Sequence, residues 1–402
     1  MPAYAGMTIF LYHSRLTAPL ATTKNSEYAL KMLTPSTPPS HWDIFCQVVD
    51  NYGDIGVCWR LAADLHARGV TVRLWLDDAS HLHWLAPKAG NSGIEICHWQ
   101  DAAQRYQPGA VLMATFGCEL PAAVLQACDA LPLEQSIPQR PIWLNVEHLS
   151  AEDYVERMHL LPSPRFTPDG GSWKQHFFYP GFTPATGGLL REANLAQRQA
   201  AFDKHAWLTA QGIAPAENAQ LISLFAYEPP LLADWLRILQ AQSQPVHLLV
   251  CAGRGQAAFL QAVADLGLQP NAALNWTLLP FLPQAEFDHL LWSCDINMVR
   301  GEDSWLRAIW AGKPLVWQIY AQDDDAHHDK LQAFMQRMAL PAPAQKFYRA
   351  WNGLDTPLLA ADWQVLSQAQ GFFAAAAAQY QQYPDLSTQI LDFVTAILHK
   401  KA

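Results

Sequence analysis

The second half of the chain constrains the fold most tightly, because short apolar runs alternate there with segments of helical spacing. LISLFAY (221–227), VHLLVCAG (246–253), WTLLPF (276–281), DINMV (295–299) and PLVWQIY (314–320) read as buried strands. Between them, PPLLADWLRILQAQ (229–242), QAAFLQAVADLG (256–267), QAEFDHLLWSC (284–294) and SWLRAIWAG (304–312) read as helices, the first with proline in its opening turn. A strand followed by a helix and another strand builds a parallel pair, since parallel neighbours need a crossover. The repeated order predicts a parallel sheet covered by helices on both faces.

The first half carries the same order in a weaker form. WDIFCQVV (42–49), VTVRLWL (70–76), AVLMATF (110–116) and PIWLNVE (141–147) are strand candidates. Val57, Leu61 and Leu65 fall at helical spacing, Gly69 stops that helix, and PAAVLQACDAL (121–131) is a second helix. With 402 residues the chain exceeds one ordinary core. The expectation is an α/β protein of two Rossmann-like doubly wound domains facing across a cleft, over 42–200 and 201–375. Residues 376–402 form a C-terminal helix packing back on the first domain. The Pro- and Gly-dense stretch between about 150 and 200 reads as loops at the junction, and 191–212 as a polar helix leading into the second domain. Residues 1–41, rich in Ser, Thr and Pro without a period, read as a disordered tail or an early start, with Met32 the better start.

Net charge of −10 with no basic run argues against sequence-independent nucleic-acid binding. The seven cysteines are scattered without a CxxC, which fits buried thiols in a reducing cytoplasm. No apolar run is long enough to span a bilayer, so neither membrane nor nucleic acid is expected as a partner.

In open parallel sheets ligands bind beyond the C-terminal strand ends, so the residues just after strands are the site candidates. VVDNYGDIGVCWRL (48–61) places Asp50 and Asp54 where a strand hands over to a helix. Either can serve the turn or cap the helix, but two carboxylates at a cleft can also hold a cation or accept a proton. In NMVRGEDSW (297–305) a helix start adjoins Arg300, Glu302, Asp303 and Ser304. Free helix N–H groups, the Ser304 hydroxyl and the charge of Arg300 or Arg307 suit a phosphate. Asp303 would then cap the helix while Glu302 faces a sugar hydroxyl or a cation. Phe225, Tyr227 and Phe281 end strands and suit stacking on a base, with Gln284 beside them. AQDDDAHHDK (321–330) offers Asp323, Asp324, Asp325, His327, His328 and Asp329 to a metal, though capping by Asp324 or Asp325 is the simpler account. CAGRGQ (251–256) matches neither GxGxxG nor a Walker A loop.

WDIFCQVVDNYGDIGVCWRLAADL, NVEHLSAEDYVE, FFYPGFTPATGGLLRE, FAYE, FLPQAEFD and RGEDSWLRAIWAGKPLVWQIY together resemble the elongation factor P maturation arginine rhamnosyltransferases, from about Trp42 to the C-terminus. The resemblance implies a GT-B fold and an inverting transfer of rhamnose from dTDP-β-L-rhamnose to an arginine of elongation factor P, with no metal or other cofactor. It implies that Asp50 and Asp54 are functional, with Asp54 the base, and that Glu302 is needed for activity. It further implies that Asp303, Ser304 and Gln284 contact the donor, and that Phe225, Tyr227 and Phe281 surround the thymidine. FAYE carries alanine where relatives often carry serine.

The chemistry suits these residues. A guanidinium is protonated and delocalised, hence a poor nucleophile. One acid can orient it and a second can take its proton as the C–N bond forms. Three rival readings remain from sequence: another cytosolic GT-B enzyme with a different donor or acceptor, a non-catalytic nucleotide- or protein-binding module, and a metal-dependent hydrolase using 323–329.

Overall fold

The computed structural model describes residues 41–49, 52–131, 140–167, 171–321 and 325–401. Asp50, Asp323 and Asp324, and the expected tail up to residue 40, lie outside the described residues.

Val57, Leu61 and Leu65 are buried on one face of helix α1 (Gly53–Ala67), which packs on strands β1 (Trp42–Cys46) and β2 (Val72–Leu76). Gly69 ends it at φ 94°, a conformation L side chains rarely adopt, while Val70 N–H reaches back to Leu65 O at 3.1 Å. The sheet continues through β3 (Glu95–His98), β4 (Val111–Thr115), β5 (Ile142–Val146), β6 (Pro162–Phe166) and β7 (Ser172–Phe178). Its order is β3-β2-β1-β4-β5-β7-β6, parallel except for the β6–β7 pair. Ile44 stands between Leu74 and Met113 in register, and β1, β4 and β5 are buried along their whole length. Layers on both faces explain why these strands are continuously apolar.

The second sheet holds β8 (Gln220–Leu224), β9 (Val246–Val250), β10 (Leu274–Leu278), β11 (Ile296–Arg300) and β12 (Leu315–Gln318), in the order β10-β9-β8-β11-β12, all parallel. Its helices include α2 (Leu232–Gln240), α3 (Arg254–Asp265), α4 (Gln284–Ser293) and α5 (Asp303–Ala311). Both sheets are doubly wound and reverse strand order at one place, between β1 and β4 and between β8 and β11. Those two switch points open a crevice beyond the strand ends. The segments leaving β1, β4, β8 and β11 therefore carry the site.

Several strands are shorter than the apolar runs that announced them. The run 42–49 yields strand only to Cys46, 221–227 only to Leu224, and 276–281 only to Leu278. The overhanging residues Phe225, Tyr227 and Phe281 line the cavity, and Val48 packs against the core. The polar helix expected over 191–212 is two short helices, Leu195–Ala201 and Lys204–Ala210, broken at Phe202 and Asp203, where the Asp203 side chain caps the second. Helix α6 (Ala326–Arg337) follows Asp325 as the capping reading expects, whereas β3, the β6–β7 hairpin and the helices Ala342–Trp351 and Ala360–Ser367 carry no clear sequence signal. The loop after β7 is buried: Phe182, Leu189 and Leu190 are all under 7% exposed, and Phe182 packs on Trp305 of α5 at 5.4 Å. The C-terminal helix α7 (Leu386–Lys401) lies against the first half, where Arg68 donates to Asp385 and Thr388. No described helix is long and apolar enough to cross a membrane.

Candidate active site

The β1–α1 turn brings Asp54 to the second position of α1. Its Oδ2 accepts from the Val49 N–H at 2.9 Å, bracing the turn, and the residue is buried. The capping role considered for Asp54 is corrected: the N-cap residue is Tyr52, without a side-chain capping bond. Asp50 is outside the described residues.

Across the crevice, β11 passes through Gly301, at φ 60°, into α5. The start of α5 carries no side-chain cap, which corrects the expectation that Asp303 caps it. Its first N–H groups and the positive end of the helix dipole meet the crevice. The Ser304 hydroxyl donates to the Arg300 carbonyl and accepts from the Arg300 N–H, so it closes the strand-to-helix turn.

Arg300 is buried, and its guanidinium lies 4.6 Å from the Phe225 ring centre, 4.4 Å from Tyr227 and 5.9 Å from Tyr52. No carboxylate pairs with it among the described residues. A buried charge without a counter-ion is costly unless a ligand supplies one. Tyr52, Gly53, Phe225, Tyr227, Phe281, Gln284, Arg300, Glu302, Asp303 and Ser304 all line one cavity that opens to solvent. Phe281 is half exposed and meets Trp84 at 5.1 Å and Tyr52 at 6.1 Å, so aromatics from both halves face each other. Asp54 does not line this cavity; its neighbour Gly53 does.

Beneath the cavity lies a buried ion network that ties the halves together. Arg60 of α1 grips Glu192 in a fork, at 2.6 and 3.0 Å, and reaches Asp303 Oδ1 at 2.8 Å. Arg307 Nε holds Asp303 Oδ2 at 2.9 Å, and its Nη1 holds Asp288 at 2.7 Å. Arg198 holds the other oxygen of Asp288 at 2.8 Å. Burial works against the charge of Asp303, yet Arg307 and Arg60 outweigh it and hold the carboxyl below its usual range. Burial likewise opposes Glu192, and Arg60 overrides it, holding that carboxyl far below the usual range. This explains an acid at the head of a phosphate-type helix start: the Asp303 side chain points away to Arg60 and Arg307 and leaves its backbone N–H at the crevice. Gln284 joins this seam, donating to Gly56 O at 3.0 Å and Asp303 Oδ2 at 3.2 Å. A Cβ on Gly56 would meet Gln284 Nε2 at 3.0 Å, so glycine permits this close approach of α1.

Glu302 faces the first half, with its Oε2 3.0 Å from His148 Nδ1. His148 follows β5 and was singled out by no motif argument, although it sits just after a strand, as the other site residues do. Arg60 and Glu192 were also missed, because a buried pair 132 positions apart leaves no local signal. The donor atoms of Asp325, His327 and His328 lie within 4.8 Å of one another, but none lines the cavity. Asp325 stands at the N-cap of α6 without a side-chain capping bond, correcting its expected role.

Residues 42–395 match the family model described as Elongation-Factor P (EF-P) rhamnosyltransferase EarP. The protein-arginine rhamnosyltransferase of Pseudomonas putida is 44% identical over 382 residues, covering 88% of this chain and 98% of the relative. That of Neisseria meningitidis serogroup B is 34% identical over 378 residues, covering 87% and 94%. A solved structure described as the basis for EarP-mediated arginine glycosylation of translation elongation factor EF-P superposes with TM-score 0.59 at 34% identity, over 88% of this chain and 98% of the other. Arabidopsis thaliana UGT89C1 complexed with UDP-L-rhamnose reaches TM-score 0.50 at 10% identity, over 90% and 100%, a likeness of GT-B fold alone. By family model, sequence identity and fold together, the chain belongs to the EarP family, the elongation factor P rhamnosyltransferases.

Proposed function

We propose that this chain is an inverting, cytoplasmic glycosyltransferase that moves L-rhamnose from dTDP-β-L-rhamnose to one arginine of elongation factor P. The observation that carries this reading is the buried Arg300 guanidinium, without a carboxylate partner among the described residues, beside an uncapped helix start in a cavity walled by Phe225, Tyr227 and Phe281. That arrangement suits a nucleoside diphosphate: aromatic faces for the base, a cation and backbone N–H groups for the diphosphate. Family membership supports the rhamnosyl group and the arginine.

In the proposed reaction Asp54, Asp50 and Glu302 form the acceptor side. Two carboxylates orient the guanidinium so that one nitrogen faces the anomeric carbon. The C–N bond forms as the bond from the anomeric carbon to the diphosphate oxygen breaks, with inversion. Its electron pair leaves on the diphosphate, where Arg300 and the N–H groups of α5 meet the growing charge. Asp54 takes the proton released by the guanidinium; its carboxylate is already oriented by the Val49 N–H. Ser304 and Asp303 shape this cradle, Ser304 by fixing the turn and Asp303 by anchoring the helix to Arg60 and Arg307. Gln284 contributes where α4 meets α1. These charges belong to the protein, so the proposal requires no metal or other cofactor.

Incubating the purified chain with elongation factor P and dTDP-β-L-rhamnose tests the proposal by intact mass. A single deoxyhexose gain located on one arginine is expected. A gain on another residue type, or transfer only from a different nucleotide sugar, would refute it.

A further inference from the structure

His148 reaches from the end of β5 to the opposite half of the molecule, and three features surround its ring. Phe116 lies beneath it, with ring centres 4.3 Å apart and planes 13° apart. Glu302 Oε2 stands 3.0 Å from its Nδ1. The carboxylate of Asp54 adds negative charge. Phe116 holds its position at φ 57°, in the left-handed region that non-glycine residues rarely adopt. Such a conformation is strained and persists where the surroundings enforce it. Here the Phe116 N–H donates to Val146 O at 2.8 Å, which ties the ends of β4 and β5 and brings the two rings face to face.

An aromatic plate with carboxylates at its edge is the environment a guanidinium requires: a face to lie on and acceptors in its plane. An imidazolium is also a flat cation that donates N–H groups in its plane. We propose that Phe116, Glu302 and Asp54 form the subsite for the acceptor guanidinium, and that protonated His148 occupies this subsite in competition with the acceptor arginine. The inference rests on the arginine-transfer reading above. The His148 side chain is 52% exposed, so a path toward solvent is open to it when the acceptor enters. Losing its proton weakens its hold on Glu302 and frees the subsite.

The charged groups around the ring favour this competition. Glu302 from the β11–α5 turn, Asp54 from α1 and Glu147 beside it in the chain attract the imidazolium, while Lys330 on α6 repels it. The surrounding protein opposes the charge through burial, but the Glu302 hydrogen bond and charge, then Asp54, outweigh it and raise the pKa above the ordinary histidine value.

A competing imidazolium multiplies the acceptor KM by the inverse of the neutral fraction and leaves kcat alone. For an ordinary imidazole of pKa about 6.5, the neutral fraction falls from about 0.97 at pH 8 to about 0.24 at pH 6. A raised pKa makes about fourfold the smallest expected rise in KM. The test measures kcat and KM for elongation factor P at pH 6, 7 and 8 with saturating dTDP-β-L-rhamnose, for the wild type and His148→Gln. The wild-type KM is expected to rise at least about fourfold on acidification, and that of His148→Gln less than about twofold. Equal rises in both proteins would overturn the role of His148. Phe116→Leu tests the plate: a higher acceptor KM at pH 8 with an unchanged donor KM is expected, and an unchanged acceptor KM would overturn it. Wild-type transfer to arginine at pH 8 leaves the parent reading standing in either event, whereas its absence would remove both.

Discussion

Replacing Arg60 by methionine tests the ion network that joins the two halves. Arg60 makes two hydrogen bonds to Glu192 and one to Asp303, and its side chain is 3% exposed. Methionine fills most of the same volume but leaves Glu192 with only Arg198 at 4.0 Å and the more distant charge of Arg307 among the described residues. Asp303 keeps Arg307 and Gln284. Removing one partner from a buried ion pair costs about 3–5 kcal/mol, because the remaining charge stays buried without compensation. Arg60→Met should therefore lose about that much stability in urea unfolding. Removing both charges, in Arg60→Met with Glu192→Met, should recover a large part of the loss, since an apolar pair of similar volume is often neutral. Because α1 carries Asp54 and α5 carries the cradle, Arg60→Met should also lower kcat. A loss below about 1 kcal/mol, the worth of an exposed pair, would refute the view that these charges are sealed from water.

Four further outcomes are expected. Asp54→Asn should keep the fold and donor affinity but lose transfer by ~10²–10⁴-fold, read by rhamnosylation rate; near-wild-type turnover would remove Asp54 as base. Arg300→Met should leave thermal stability unchanged or raised, because it removes a buried charge that no carboxylate pairs among the described residues, while weakening dTDP binding by about tenfold to a hundredfold in calorimetry, the loss of a charged hydrogen bond. His159 accepts a bond from the Tyr179 N–H, and burial lowers its pKa to about 4. Its unfolded form binds a proton first, so it contributes stability that is fully present above about pH 6.5 and lost as pH falls toward 4; His159→Phe should flatten the pH dependence of the urea midpoint in that window. Transfer should persist in excess EDTA, and a loss restored by divalent cations would show that the protein's own charges do not suffice.

The α/β architecture was legible because its strands are buried on both faces and its helices end in clear stops. The turns were legible too, since Phe225, Tyr227 and Glu302 follow strands, Arg300 ends one, and all four line one cavity. What escaped was the partner each side chain takes in the folded chain. Asp303 reads locally as a cap, yet Arg60, 243 positions away, claims its carboxylate. Ser304 reads as a ligand hydroxyl, yet the Arg300 backbone occupies it. His148 became visible only once Glu302 stood across the crevice. The edge strands β3 and β6 were missed because solvent on one side removes the continuous apolar run that marked the others.

The central claim is that Arg300 and the start of α5 form an anion cradle facing the acids of the first half. A crystal structure of the chain with bound dTDP tests this most directly. The account predicts diphosphate oxygens within hydrogen-bonding distance of the Arg300 guanidinium and the first backbone N–H groups of α5, with thymine between Phe225, Tyr227 and Phe281. A nucleotide bound elsewhere, or one whose diphosphate leaves Arg300 untouched, would contradict it.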